Sequence, residues 1–333
     1  MNIFIKSKMF KTATAAVAAG LLLAGCSSEG SSGSAETAEG YPNKQIQLML
    51  PWGAGGDSDV IARTINKYLE EELDVKIVVT NMGGGGGTIG AQEFMKQNPD
   101  GYSMLAGHDS IAVSHLMGKA DFSYDDFEPV SLMTTANQLI ATNVANDWEN
   151  MQDVVDELKE NPESISFGAS IGSTTHIVPL GIMDSQDVKF NIVAYEGTAQ
   201  RTQALLGNHL DLGSTTIPAA KEYMKANQLK MLGIASEERN PALPDIPTLK
   251  EQGIDFVNAT NRGYFFPKDT PQEIVDVMDE ALKNVAENPE FIKEMEAMGV
   301  DVNYKDTEEY TNYLEDDVEH LEGMLTRQNI IEK

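Results

Sequence analysis

Apolar positions along this chain alternate between two periods. Gln45–Leu50 is a short strand-like run, and after it Val60, Ile61, Ile65, Tyr68 and Leu69 recur at helical spacing, with Asp57 or Ser58 placed to cap the start. Val75–Thr80, rich in β-branched residues, reads as a strand, Thr88–Gln97 as a short helix and Ser103–Gly107 as another strand. The alternation resumes with strands at Ser164–Phe167, Ile192–Tyr195, Leu210–Gly213 and Leu229–Ala235. Helical stretches lie between them at Thr175–Met183, Thr198–Leu206 and Ile217–Ala226. Beyond Pro271, amphipathic runs over Ile274–Val285 and Thr307–Leu325 make the C-terminal part helical. Such βαβ alternation predicts α/β layers with mostly parallel sheets.

The N-terminus follows a different pattern. Lys6, Lys8 and Lys11 precede an uncharged stretch from Ala13 to Ala24, too short and too rich in small residues for a membrane span. Leu23-Ala24-Gly25-Cys26 resembles a bacterial lipobox, so residues 1–25 are expected to be a lipoprotein signal peptide and Cys26 the lipidated residue. The protein is then extracytoplasmic and lipid-anchored to the cell membrane. Residues 26–40 hold Ser, Gly, Glu, Ala and Thr after the cysteine and read as a flexible linker that buries too little surface to fold. The folded part begins near Tyr41.

Composition narrows the partners. A formal charge of −28 repels nucleic acid and anionic lipid surfaces, which excludes both as binding partners of the folded part. One cysteine permits no intramolecular disulfide and no thiolate metal site. The five histidines show no i,i+4 pair, and neither a metal nor a cofactor is expected.

Candidate chemistry gathers in glycine-rich strand-to-helix turns. Pro51-Trp52-Gly53-Ala54-Gly55-Gly56-Asp57-Ser58-Asp59 is the first, and Asn81-Met82 followed by Gly83–Gly87 is the second. Turns of this kind offer backbone N–H groups backed by a helix dipole, which suits an anion even in an acidic protein. Gly85, Gly87 and Gly90 fit a dinucleotide fingerprint, yet the acidic residue about 20 positions further on is missing. Gly168-Ala169-Ser170-Ile171-Gly172 fits the nucleophile elbow of a secreted serine hydrolase acting through Ser170. Its only distant bases would be His209, in a turn, and His320, on an acidic helix, so this stands as the alternative function.

Taken in order, further segments resemble the Bug-type solute-binding receptors of the tripartite tricarboxylate transporter family. They are Tyr41-Pro42, Leu50-Pro51 with Gly55-Gly56 and Asp59, Asn81 with Ile89-Gly90-Ala91, and Pro99-Asp100-Gly101-Tyr102. Phe127 with Pro129–Leu132, Gly172-Ser173-Thr174-Thr175-His176, Tyr195 with Gly197, Leu205-Leu206-Gly207 and Pro241–Thr248 continue the series. The resemblance implies a two-lobed type II periplasmic-binding-protein fold of α/β class with an interdomain ligand cleft, and no catalysis. Lobe 1 would hold residues 41–135 and 263–333, and lobe 2 residues 136–262. A small organic carboxylate, di- or tricarboxylate-like, would pass from the cleft to membrane permease subunits, and a monomer is expected. Carried over by position, the ligand would meet Trp52, Ala54, Gly55, Asp57, Ser58 and Asp59 from the first lobe. From the second it would meet Ser170, Ser173, Thr174, Thr175, His176, Tyr195, Gly197, Thr198 and Thr215 or Thr216.

The chain departs from the family pattern in the first loop, where Asp57 adds a carboxylate beside the expected anion site. Asp57 is read as an outward helix N-cap, with selection of an amine-bearing ligand as the alternative. Met82-Gly83 replaces a familiar arginine and proline. Arg201 and Arg262 are read as solvent-facing salt bridges, the alternative being bidentate partners of a distal carboxylate.

Overall fold

The computed structural model describes residues 40–332; Cys26, the signal-like segment and the linker up to residue 39 lie outside the described residues. In chain order the elements begin with β1 (Ile46–Leu50), α1 (Asp57–Leu73), β2 (Ile77–Asn81), α2 (Thr88–Phe94), β3 (Ser103–His108) and α3 (Ser110–Leu116). Then come β4 (Phe127–Asn137), β5 (Leu139–Asn143), α4 (Met151–Glu160), β6 (Ser166–Ala169), α5 (Thr174–Gln186) and β7 (Asn191–Ala194). The chain continues through α6 (Thr198–Leu206), β8 (Leu212–Thr215), α7 (Ile217–Lys225) and β9 (Leu229–Ile234). It ends with β10 (Ala259–Pro267), α8 (Gln272–Glu287), α9 (Pro289–Ala297), β11 (Asp301–Lys305) and α10 (Thr307–Arg327).

Two mixed sheets result, each the centre of one lobe, and they share one plan. The first runs β11-β4-β10-β3-β1-β2, with β1 parallel to β2 and β3 and with β10 antiparallel to β3 and β4. The second runs β7-β6-β8-β5-β9, with β6 parallel to β7 and β8 and with β5 antiparallel to β8 and β9. Each sheet is therefore a βαβ core with one antiparallel strand laid beside its third parallel strand. The backbone crosses from the first sheet to the second at Gln138, and it returns past Asn258 into β10. The crossings are tied together, Gln138 N to Asn258 O at 3.2 Å and Gln138 Nε2 to Thr260 Oγ1 at 2.7 Å.

Both faces of each sheet are covered, which is why the strands read as apolar runs more than as alternating ones. Ile46, Leu48 and Leu50 of β1 pack against Ile61, Ile65 and Leu69 of α1 and Leu282 of α8. Burying a side chain such as Leu69 contributes about 1.5–3 kcal/mol. On the opposite face Phe127, Leu132 and Phe265 meet Tyr310, Leu314 and Leu325 of α10, and Ile177 and Leu180 of α5 join this cluster from the other lobe. In the second sheet Phe167 and Leu212 pack beneath Val154 of α4 and Val178 of α5. Leu139 and Ile234 pack beneath Leu205 of α6 and Ala220 of α7.

Local details differ from the sequence reading. Helix α1 is N-capped by Gly56 with no side-chain cap, so Asp57 and Ser58 sit inside its first turn. Val60 is exposed although it shares the helical apolar spacing. Strand β8 begins two residues later than expected, which carries Thr215 to the end of the sheet. The strands β4 and β10, 11 and 9 residues long, carry no clear sequence signal because polar residues, Ser131 and Thr134 in one and Thr260 and Arg262 in the other, are buried within them and break the apolar run.

Candidate functional site

The parallel strands of both sheets end at one place. Loops after β1, β2 and β3 come from one side, and loops after β6, β7 and β8 from the other, the position where open α/β sheets bind ligands. Between them lies a cavity of about 440 Å³. The first turns of α1, α5 and α6 face it through Asp57 and Ser58, Thr174 and Thr175, and Thr198 and Ala199. Early N–H groups of a helix lack intrahelical acceptors, so three positive dipole ends converge on the cavity.

Two arginines are buried in its wall. Arg262 of β10 donates through Nη2 to Asp57 Oδ2 in an ion pair and through Nε to Ser58 Oγ at 3.2 Å. Across the cleft, Thr198 donates its hydroxyl to Asp57 Oδ1 at 3.1 Å. Arg201 of α6 is 1% exposed, and each of its acceptors is neutral. It donates to Ser170 Oγ at 3.1 Å, Thr198 Oγ1 at 3.1 Å and Ser214 O at 3.4 Å. Burial pulls its pKa down to about 10, the Asp57 charge opposing, so the guanidinium stays charged at neutral pH. Among the described residues it forms no ion pair, and a guanidinium has five N–H donors to satisfy. The Thr215 hydroxyl, also in the wall, is buried without a hydrogen-bond partner.

An aromatic platform completes the first-lobe side. Trp52 stacks on His108 with ring centroids 3.7 Å apart. His108 Nδ1 accepts from Ser110 N at 3.2 Å, which leaves the neutral ring's proton on Nε2. Burial holds His108 well below its ordinary pKa, and the Arg262 charge adds to this. In the second glycine loop, Gly86 has φ +71, and a Cβ there would stand 3.0 Å from Ile171 O of the opposite lobe. The glycine admits that close approach. Gly90 explains the dinucleotide-like spacing without a nucleotide: a Cβ would press on Pro51 at 2.7 Å, so α2 can lie against the end of β1 only if residue 90 has no side chain.

Most residues expected at the site line this cavity: Trp52, Ala54, Asp57, Ser58, Ser170, Ser173, Thr174, Thr175, Gly197, Thr198, Thr215 and Thr216. Four expected residues do not line it. Gly55 already donates its N–H to Asp59 Oδ2 at 2.9 Å, so it is not an open donor. Asp59 is buried and also holds Arg63 and Asn81, which ties the two glycine loops together. His176 accepts from Gly172 N at 3.5 Å and shapes the second-lobe loop, and burial lowers its pKa to about 4. Tyr195 packs against Gly168 and the apolar cluster around Leu205.

Two readings are corrected. Asp57 does not point outward as a cap; it faces the cleft and neutralises Arg262. Arg201 and Arg262 are not solvent-facing, since burial places both in the wall. The Ser170 hydroxyl is engaged by Arg201, and among the described residues no histidine hydrogen-bonds to it, while His209 and His320 are exposed. Sequence reasoning passed over His108, Gln138 and Thr260 as site residues. For Arg262 a signal existed, a lone charge entering the apolar run Tyr264-Phe265-Phe266.

Comparison with known proteins follows the same line. Residues 61–330 match the family described as "Tripartite tricarboxylate transporter family receptor". A protein of Agrobacterium vitis, "UPF0065 protein in the TAR-I ttuE-ttuC' intergenic region", is 30% identical, covering 80% of this chain and 78% of its own length. The solved structure of periplasmic binding protein BugD is 26% identical with a TM-score of 0.81, covering 88% of this chain and 100% of that one. MatC from Rhodopseudomonas palustris, solved with bound malate, shares the fold at 24% identity and a TM-score of 0.80, covering 86% of this chain and 100% of its own.

Proposed function

This chain belongs to the tripartite tricarboxylate transporter receptor family, and from that membership we propose that it captures a small organic carboxylate between its lobes and delivers it to the permease subunits of such a transporter. One observation carries the ligand class: Arg201 is a buried guanidinium in the cavity wall with only neutral acceptors. A buried charge of this kind costs free energy until a counter-charge arrives, and a bidentate carboxylate matches its geometry. The helix N-termini around it favour the same ligand. The loops that supply these groups belong to both sheets, so ligand binding would favour the closed arrangement of lobes 41–135 with 263–333 and 136–262, moving about Gln138 and Asn258.

The anchor is part of the same reading. Leu23-Ala24-Gly25-Cys26 would place a lipid on Cys26 and hold the receptor as a monomer beside its permease. Replacing Cys26 with Ser would release the protein from membranes into the soluble fraction.

The function is tested by thermal denaturation of the purified protein against a panel of small carboxylates. A ligand at about a thousand times its dissociation constant adds roughly 4 kcal/mol, which raises the melting temperature by on the order of 10 °C for a chain of this size. No shift across mono-, di- and tricarboxylates, in protein verified as ligand-free, would reject the proposal.

A further inference from the structure

The charges within the cavity do not match a tricarboxylate. Its ionic side chains inside the rim are the buried Arg201 and Arg262 and the partly buried Asp57, and Asp57 is already spent on Arg262. His108 adds no charge because burial keeps it neutral. The rest of the wall is hydroxyl, amide and backbone, and the remaining carboxylate, Glu196, is an exposed rim residue. One carboxylate at Arg201 therefore balances the ionic side chains of the interior. A second would be desolvated with no unpaired side-chain cation left to meet it, only helix N-termini and hydroxyls, while facing Asp57 within and Glu196 at the mouth.

A second cavity, of about 270 Å³, adjoins the first along Gly56, Asp57, Thr198, Ala199 and Thr216. Its far walls are mostly apolar, with Val60, Ile61, Ala136, Ile217, Met298 and Val300, and carry Asn137, Thr202, Gln203 and Tyr223 among them. It accounts for Val60, which is 44% exposed because it faces this space and not a packed core. Carboxylate chemistry alone gives such a chamber nothing to hold.

We infer that the ligand is a monocarboxylate, its single charged group at Arg201 and its uncharged body extending into the apolar chamber beside Val60 and Ile217. This rests on the receptor reading above and refines its ligand. Asp57, in place of an uncharged loop residue, is the selectivity element: by occupying Arg262 it withdraws one of two cations from the ligand.

The test is isothermal titration of the purified protein with probes matched in length and differing in charge. Hexanoate, adipate mono-amide, adipate and 6-aminohexanoate form one set, and 4-methylbenzoate and terephthalate the other. The monoanions are expected to bind at least tenfold tighter than the dianion of their set, and hexanoate tighter than 6-aminohexanoate. Asp57→Asn, checked for folding by its melting curve, should shrink or reverse the preference against dianions. Val60→Asp, at an exposed position, should weaken hexanoate at least tenfold more than it weakens propionate. A dianion or the amino acid binding tighter than its monoanion in the parent protein overturns the inference and leaves the receptor reading standing. Hexanoate indifferent to Val60→Asp overturns the placement in the chamber. No binding by any probe overturns the monocarboxylate assignment, and only the failure of the wider carboxylate panel as well overturns the receptor reading.

Discussion

Arg262 and Asp57, 205 residues apart in sequence, form a partly buried ion pair that joins β10, an inner strand of the first sheet, to the first turn of α1. Of the two carboxylates among the described residues lining the cavity, Glu196 is exposed and the partly buried Asp57 is consumed by the pair, so Arg201 keeps its charge unopposed at short range. The binding and selectivity proposed above rest on that asymmetry.

Thr215 carries a buried hydroxyl without a partner. Thr215→Val keeps the shape and removes the unsatisfied group, so the ligand-free protein should gain up to about 1 kcal/mol while ligand affinity falls roughly 3- to 10-fold. Urea denaturation and calorimetric titration measure the two effects separately. Equal affinity in parent and variant would place the ligand away from Thr215.

Gly90 is required by packing. Gly90→Ala drives a Cβ into Pro51 and the Met82 carbonyl, and overpacking of this kind costs about 1–3 kcal/mol. The variant should melt several degrees lower. A melting temperature equal to the parent's would mean that α2 can slide away from β1 freely.

Much of this arrangement was legible in the sequence, and the reason is local. Helix α1, strand β1 and the loops at Gly53–Gly56 and Gly168–Ser173 announce themselves through apolar period and glycine spacing. The strands β4 and β10 do not, since buried polar residues such as Thr134 and Arg262 interrupt their apolar runs. The direction of side chains within a correctly placed loop was also hidden. Asp59 and Tyr195 stand in site loops yet turn into the structure, and Arg201 and Arg262 turn inward because their partners come from distant segments.

Ser170 gives a chemical test. Its hydroxyl lies against Arg201 at 3.1 Å, and no general base hydrogen-bonds to it among the described residues. A fluorophosphonate probe should leave the native protein unlabelled. Stoichiometric labelling, abolished by Ser170→Ala, would restore the hydrolase alternative.

Beneath the cavity, Asp109 accepts from Asn261 N at 2.9 Å and Tyr313 OH at 3.1 Å, and Asp317 accepts from Tyr124 OH at 3.3 Å. Burial raises both carboxyls, and the charge of Asp109 raises Asp317 further. Burial and the Asp109 charge hold the Asp317 carboxyl well above the ordinary carboxylate range, so as pH rises out of that range the folded state keeps a proton that the unfolded chain releases. Stability from this group is therefore present at acid pH and lost as pH rises above that range. Asp317→Asn should be less destabilising, or more stabilising, at pH 8 than at pH 5 relative to the parent, read from urea midpoints. A difference that does not change with pH would show that Asp317 ionises normally.

The most direct measurement is calorimetric titration of the parent and of Arg201→Met with the carboxylate that gives the largest thermal shift. Removing a buried partner of a bound charge costs about 2–5 kcal/mol, so affinity should fall by roughly 30-fold or more. The ligand-free variant should melt at or above the parent's temperature, because an unopposed buried charge is gone. Affinity unchanged by Arg201→Met would contradict the assignment of this cavity as the carboxylate site.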